Sequence, residues 1–212
     1  MDKTQVKELF EPKLKEPILI EGLPGFGEVG KLAVELLIES MNAKPFAEVY
    51  SPYFPDGVFV GSDGICRLPS YEFYAYKKSY PNFIALIGDA QPAPEDVNAH
   101  YELCDAILDL AEKYSCNYIV TLGGYPTTTP EKNRVYVAAT SEKIVTRLAE
   151  LGASVYKGGR IVGAAGLVLG LAKNRGLRGF CILGATSSVL PDRPAAMDVF
   201  RFLKKVLDAK LF

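Results

Sequence analysis

The residues best placed to do chemistry form a glycine-rich loop, in which Gly25, Gly27 and Gly30 repeat as GxGxxG. The loop follows an apolar run that is typical of a strand and precedes an amphipathic stretch that is typical of a helix. A loop in that position presents backbone N–H groups at a helix amino end, where a phosphate can bind. The same glycines would also allow a tight turn and close packing of the helix on a sheet. Both interpretations stay open from the loop alone.

A dinucleotide site needs more than the glycines. A Rossmann unit places an acidic residue about 20 positions further on, at the end of the second strand, and Glu48 is a loose match. The segment from Ala47 to Lys77, however, holds three successive strand-like stretches without a helix between them. That order departs from the alternation of strands and helices in a dinucleotide-binding unit, so we expect no cofactor.

Other polar and glycine residues follow strand-like apolar runs further along the chain. In an open parallel sheet, ligands lie outside the carboxyl ends of the strands. A crevice at that edge could hold a small anion through backbone N–H groups and hydroxyls. The candidate ligand crevice consists of Gly25, Gly27, Gly30, Asp89, Gln91, Gly123, Gly124 and Thr186.

The sequence offers no evident catalytic group. The single histidine, His100, falls in a predicted helix, and no serine or cysteine stands in a GxSxG motif. Asp89 could act as a general acid or base, but a lone carboxylate after a strand is typical of a turn or a helix cap. The four cysteines form no CxxC pair, which indicates core thiols. We therefore predict neither a catalytic site nor a metal site.

The elements that would position the crevice follow from periodicity and turn residues. Near-continuous apolar runs are typical of strands covered on both faces, and spacings of three and four residues are typical of helices. We predict one α/β domain over residues 1–212, with three α/β/α layers and a mostly parallel mixed sheet. The predicted strands span 17–22, 47–51, 57–62, 71–77, 83–88, 118–123, 134–139 and 180–184. The predicted helices span 28–41, 95–114, 141–151, 164–174 and 194–207.

Composition excludes several classes of partner. With 24 basic and 25 acidic residues among 212, the chain has no broad cationic field for nucleic acid or anionic lipid. No apolar stretch reaches the roughly 20 residues that cross a bilayer. The first 16 residues carry charges throughout, unlike a secretory signal. We expect a cytoplasmic protein that binds neither nucleic acid nor membrane.

A dense group of aromatic residues includes Tyr71, Phe73, Tyr74 and Tyr76. Tyrosine is enriched at protein interfaces, because its ring is apolar and its hydroxyl tolerates partial wetting. The four residues are therefore a candidate interface, and equally a core-facing part of the sheet.

Five segments taken in order resemble the proteasome assembly chaperone family in its archaeal and bacterial form. They are Ile20–Gly30, Gly88–Pro92, Leu122–Tyr125, Gly159–Gly166 and Pro191–Ala196. No single segment is specific, but the ordered set spans nearly the whole chain. The resemblance implies an α/β/α fold like that of nucleoside phosphorylases, a homo-oligomer, and no established catalytic site.

The resemblance also implies a partner, since archaeal members of the family contact the α-ring of the proteasome. Some do so through a C-terminal tail ending in hydrophobic, tyrosine, any residue. Here the corresponding residues are Lys210, Leu211 and Phe212, without tyrosine in the penultimate position. We therefore expect docking through another surface, or through a related subunit that carries the tail.

Three functions from different classes follow. The first is a non-enzymatic, oligomeric, chaperone-like factor for the proteasome core. The second is a nucleoside- or phosphate-related binding protein or hydrolase, with its site at the crevice. The third is a dinucleotide-dependent oxidoreductase, which strand order can test.

Overall fold

Eleven strands and five helices build the residues that the computed structural model describes, which are 1–129 and 134–212. The strands are β1 (Gln5–Glu8), β2 (Ile18–Glu21), β3 (Lys44–Tyr50), β4 (Phe59–Val60), β5 (Cys66–Arg67), β6 (Tyr71–Tyr76), β7 (Phe83–Gly88), β8 (Tyr118–Pro126), β9 (Val135–Ala139), β10 (Ser154–Val155) and β11 (Arg178–Thr186). The helices are α1 (Val29–Met41), α2 (Val97–Lys113), α3 (Glu142–Glu150), α4 (Ala164–Asn174) and α5 (Arg193–Asp208).

Nine of these strands form one mixed sheet, in the order β1-β3-β6-β7-β2-β8-β11-β9-β10. The four central strands, β7, β2, β8 and β11, run parallel. Antiparallel pairing joins β6, β3 and β1 on one side and β9 on the other. The predicted α/β class with a parallel sheet centre is confirmed, and the two remaining strands form a separate β4–β5 hairpin.

Helices cover both faces of the central strands. Ile18 and Ile20 of β2 pack in one core cluster with residues of α1, α3 and α5. Leu19, which points to the opposite face, packs in a second cluster with residues of α2 and α4. A strand covered on both faces needs a continuous apolar run, which is the pattern that the sequence shows. The result is the expected three-layer arrangement.

Element boundaries agree with the predictions except at glycines and short edges. α4 matches the predicted 164–174, and the other helices differ by a few residues at their ends. β8 and β11 continue past Gly123 and Gly184, so the prediction that glycine ends these two strands is wrong. β1, whose residues are all exposed, and the two-residue β5 and β10 lie outside the predicted strands, since none of them carries an apolar run.

The strand order excludes a Rossmann arrangement. Two strands, β6 and β7, separate β3 from β2, and β3 is antiparallel to both of its neighbours. Glu48 therefore lies away from the glycine-rich loop. Its Oε2 lies 3.2 Å from Nζ of Lys7 and accepts a hydrogen bond from Oη of Tyr50 at 3.0 Å. The dinucleotide interpretation loses its acidic residue.

The aromatic group on β6 lies largely in the core. Tyr71, Phe73 and Tyr76 are 1%, 0% and 8% exposed. Half-buried Tyr74 donates a hydrogen bond to Glu72 at 2.5 Å. The candidate interface is therefore corrected for the three buried side chains: an antiparallel strand between β3 and β7 turns them into the fold.

Three of the four cysteines are buried, and one is exposed. Cys104, Cys116 and Cys181 are buried, as the core interpretation requires, but Cys66 on the β4–β5 hairpin is exposed. The hairpin lies outside the main sheet, so apolar residues there have no core to enter. Across the described ranges, no helix is long and apolar enough to cross a membrane.

Candidate functional site

A cavity of about 1120 Å³ lies at the carboxyl ends of β2 and β8, on the face of the sheet that α2 and α4 cover. Its floor includes Glu21, and its walls include Leu23, Phe26 and Tyr125. Loop residues Arg160 and Ile161 lie at its mouth, beside the amino end of α4. This is the edge of a parallel sheet at which ligands bind in many open α/β folds.

The cavity brings together only part of the predicted crevice. Gly25, Gln91, Gly123 and Gly124 line it. The other predicted residues, Gly27, Gly30, Asp89 and Thr186, lie outside its lining.

Gly27 and Gly30 serve the packing of the glycine-rich loop. Gly27 has a φ of 63° within a single 3-10 turn, Phe26–Glu28, that leads into α1. A Cβ on Gly30 would lie closer than 3.0 Å to the carbonyl oxygen of Leu122 on β8. α1 thus begins directly against the sheet, and the structure favours the packing interpretation of these two glycines over a phosphate cradle.

Thr186 joins the end of β11 to the start of α5. Its Oγ1 donates a hydrogen bond to Oδ2 of Asp192 at 2.5 Å and accepts one from the N–H of Ser188 at 3.1 Å. Asp192 also accepts the N–H of Ala195 at 3.1 Å and so caps α5. The Thr186 hydroxyl is therefore engaged within the fold.

Asp89 anchors the β4–β5 hairpin. Its carboxylate pairs with both terminal nitrogens of Arg67, at 2.5 and 2.8 Å, and accepts the N–H of Ser70 at 2.9 Å. Burial raises the pKa of Asp89, but the hydrogen bonds from Arg67 and Ser70 outweigh it and hold that pKa below its usual value. A carboxylate so engaged is suited to fixing a loop rather than to proton transfer.

Gln91 connects two loops at the cavity. Its Oε1 accepts the N–H of Ala164 at 3.1 Å, and its Nε2 donates to the carbonyl oxygen of Pro24. The side chain therefore caps α4 and ties its amino end to the glycine-rich loop. His100 lies at the same cavity, with Nε2 3.2 Å from the carbonyl oxygen of Ala93.

Glu21 is a further candidate residue at the cavity, and it belongs to no sequence motif. The residue is 1% exposed, its Oε1 accepts the N–H of Leu23 at 2.9 Å, and its Oε2 has no hydrogen-bond partner within residues 1–129 and 134–212. Desolvation raises the pKa of this carboxyl to about 8, against an ordinary value of 4.5. The available signal was a single charged residue inside the otherwise apolar run of β2.

Two further side chains extend from Glu21 across the sheet. Thr121 on β8 is its register partner, and Cys181 on β11 is the register partner of Thr121. The Thr121 hydroxyl donates to the carbonyl oxygen of Ala165 at 2.8 Å, while burial raises the pKa of the Cys181 thiol to about 12. Neither group is poised as a nucleophile. Within residues 1–129 and 134–212, no three His, Cys, Asp or Glu side chains cluster as metal ligands.

Glu21 should make the stability of the protein depend on pH. Because the folded-state pKa is about 8 and the ordinary value is 4.5, the folded protein keeps a proton that the unfolded chain releases. The Glu21 contribution is complete below pH 4.5 and is lost as pH rises through 8, at up to about 1.4 kcal/mol per pH unit. Denaturant unfolding of wild type and Glu21→Gln at several pH values measures this loss of stability. If the free energy of unfolding changed with pH in the same way for both proteins, the prediction would be contradicted.

Comparison with known proteins gives one family and several close structural relatives. The model of the PAC2 family matches residues 19–211. An uncharacterized protein of Methanocaldococcus jannaschii is 37% identical over 197 residues, which are 92% of this chain and 74% of that protein.

Two solved structures come from Pyrococcus furiosus. The archaeal proteasome activator PbaB is 36% identical, with a TM-score of 0.92 over 98% of this chain and 90% of that one. PbaA, an archaeal homologue of proteasome-assembly chaperone, is 27% identical, with a TM-score of 0.81 over 98% and 82% of the two chains.

Proposed function

Because the chain belongs to the PAC2 family of proteasome assembly chaperones, we propose that it is a non-enzymatic, chaperone-like factor that associates with the proteasome core through its α subunits. The match to the Pyrococcus furiosus proteasome activator carries this proposal, since the two proteins are similar in both sequence and fold along nearly the whole chain. The non-enzymatic part of the proposal has support from the predicted crevice, because the polar side chains of Asp89 and Thr186 make hydrogen bonds that hold the fold together.

The β4–β5 hairpin is the surface that we propose for docking. It stands apart from the main sheet, and its apolar side chains are between 45% and 69% exposed. An exposed apolar cluster of this kind commonly marks a protein–protein contact. The hairpin side chains concerned are Val58, Phe59, Val60, Ile65 and Leu68.

The hairpin is held in a fixed position despite its exposure. Arg67 reaches from the hairpin to Asp89 at the end of β7, and its guanidinium lies 4.9 Å from the ring centroid of Phe59. A preorganised apolar surface loses less conformational entropy on binding than a mobile loop does. By contrast, Phe212 packs against Tyr118 of its own core, at 5.1 Å between ring centroids. For that reason the proposal places docking on the hairpin.

Paired surface variants test the docking surface. Val60→Ser with Ile65→Ser removes two exposed apolar side chains from the hairpin, and we expect it to weaken binding to a matched, reconstituted core particle by about tenfold or more. The control, Val189→Ser with Leu190→Ser, changes equally exposed residues before α5 and should bind like wild type. Native gels report binding, and light scattering reports the oligomeric state.

Two outcomes would contradict the docking surface. Equal binding by both double variants would mean that the hairpin makes no energetic contribution. Dissociation of a homo-oligomer by the hairpin variant, with binding to the core retained, would make the hairpin an interface between copies of this chain.

A further inference from the structure

Glu21 has no role in the proposed docking, and its environment is unusual for a structural side chain. Buried polar atoms in folded proteins nearly always have a hydrogen-bond partner. Leaving one unsatisfied costs the desolvation free energy of that group without the return of a hydrogen bond. Here Oε2 of a buried carboxyl has no partner in the part of the chain that the structure describes, and the residue lines the large cavity at the sheet edge. A polar group kept in that position is suited to a ligand.

The chemistry that Glu21 can offer is restricted. Its Oε1 already accepts the N–H of Leu23, so Oε2 is the carboxyl oxygen that has no partner among the described residues. Because burial raises the pKa of this carboxyl to about 8, it keeps its proton at neutral pH. A protonated carboxyl donates through its hydroxyl. The complementary group on a ligand is a hydrogen-bond acceptor, such as a ring nitrogen or a ring carbonyl oxygen.

The walls of the cavity suit a flat, largely apolar group. Leu23, Phe26 and Ile161 line it together with Tyr125 and Tyr156. The last two rings pack edge to face, with centroids 5.7 Å apart. Aromatic walls of this kind stack on rings of any heteroaromatic ligand.

The charged side chains of the cavity lining favour an anionic group. Among the described residues of the lining, Glu21 is the only one with a carboxyl group, whereas Arg160, before the amino end of α4, and Lys173, in the last turn of α4, carry positive charge. Arg160 lies in a segment with three glycines of positive φ, Gly158, Gly159 and Gly163, directly before α4. The hydroxyl of Tyr156 donates to the carbonyl oxygen of Arg160 at 3.3 Å and fixes that segment. The amino end of an eleven-residue helix adds to the positive potential.

We propose that this cavity binds a small heteroaromatic phosphate ester, with the ring against Glu21 at the floor and the phosphate beside Arg160 and the amino end of α4. The volume of about 1120 Å³ is sufficient, because pockets for small molecules usually measure about 300–1,000 Å³. The site lies apart from the β4–β5 hairpin. It is independent of the proteasome proposal and would remain if that proposal failed.

Calorimetric titration with AMP, GMP, CMP, UMP and inorganic phosphate tests the site. At least one nucleotide should bind with a Kd below about 1 mM, and phosphate alone should bind about tenfold more weakly. Glu21→Gln preserves both an acceptor for Leu23 and a donor for the ligand, so its affinity should stay within about threefold of wild type. Glu21→Leu and Arg160→Gln should each weaken binding about tenfold.

A matched control is Glu48→Gln, the same substitution on β3, which should leave nucleotide affinity unchanged. Thermal unfolding of each variant shows whether it is folded. If Glu21→Leu does not fold, Arg160→Gln still tests the site, because it changes an exposed loop residue. The proposal fails if none of the four nucleotides binds with a Kd below about 1 mM. It fails equally if phosphate binds as tightly as the nucleotides, or if neither Glu21→Leu nor Arg160→Gln weakens binding.

Discussion

Gly30→Ala is expected to destabilise the protein by about 3 kcal/mol or more, or to prevent folding. The added Cβ would lie closer than 3.0 Å to the carbonyl oxygen and carbon of Leu122, and 3.2 Å from the backbone nitrogen of Gly123. These are backbone atoms in the centre of the sheet, so they cannot move aside as a flexible side chain would. Relief requires α1 to shift away from β8, which separates the core that both share.

Gly170→Ala on α4 is the matched control, since it makes the same chemical change in a helix. Beyond its chain neighbours and the backbone of its own helix, no heavy atom of the described residues lies within 4 Å of the position its Cβ would take. Alanine in a helix is about 0.5–1 kcal/mol more favourable than glycine, so this variant should be slightly stabilised. Denaturant unfolding, monitored by circular dichroism, measures the free energy of unfolding of both variants. Equal midpoints for Gly30→Ala and wild type would show that α1 does not pack against β8 as described.

Phe73→Ala is expected to lower the free energy of unfolding by about 3–5 kcal/mol. The side chain is fully buried on β6, and its ring packs edge-on against Phe46 at 6.3 Å between centroids. Truncation removes apolar contacts on the face that α2 covers and leaves a void that rigid strands cannot fill.

Phe59→Ala provides the comparison at an exposed position. Phe59 is 45% exposed on the β4–β5 hairpin, and its loss should cost well under half as much stability. Thermal unfolding at two protein concentrations separates a core role from an interface role. If Phe73→Ala kept the wild-type unfolding temperature but dissociated an oligomer, Phe73 would belong to an interface, contrary to its burial here.

Local sequence patterns predict the central elements because burial imposes those patterns. The apolar runs of β2 and β7 and the small apolar residues of α4 fit elements that are covered by others, and their positions agree with the structure. β1 is not predicted, because its residues are exposed and burial imposes no pattern on them. Its four exposed residues become a strand only by pairing with β3, which lies far away in the sequence.

The candidate site was less accessible to sequence reasoning. Asp89 follows a strand as expected, but its role depends on Arg67, 22 residues earlier, which no local pattern connects to it. Arg160 and Ile161, which lie at the mouth of the cavity, come from a loop that carries no binding motif. Glu21 is visible in the sequence as a charged residue inside an apolar run, but only the structure shows that its second oxygen has no partner among the described residues.

Binding of the purified chain to a reconstituted proteasome core from the same organism tests the central claim most directly. Native electrophoresis and sedimentation should show a complex with the complete core particle and with isolated α-rings, because the proposal places the contact on α subunits. A complex that forms with neither, at concentrations well above about 10 µM, would contradict the proposed function.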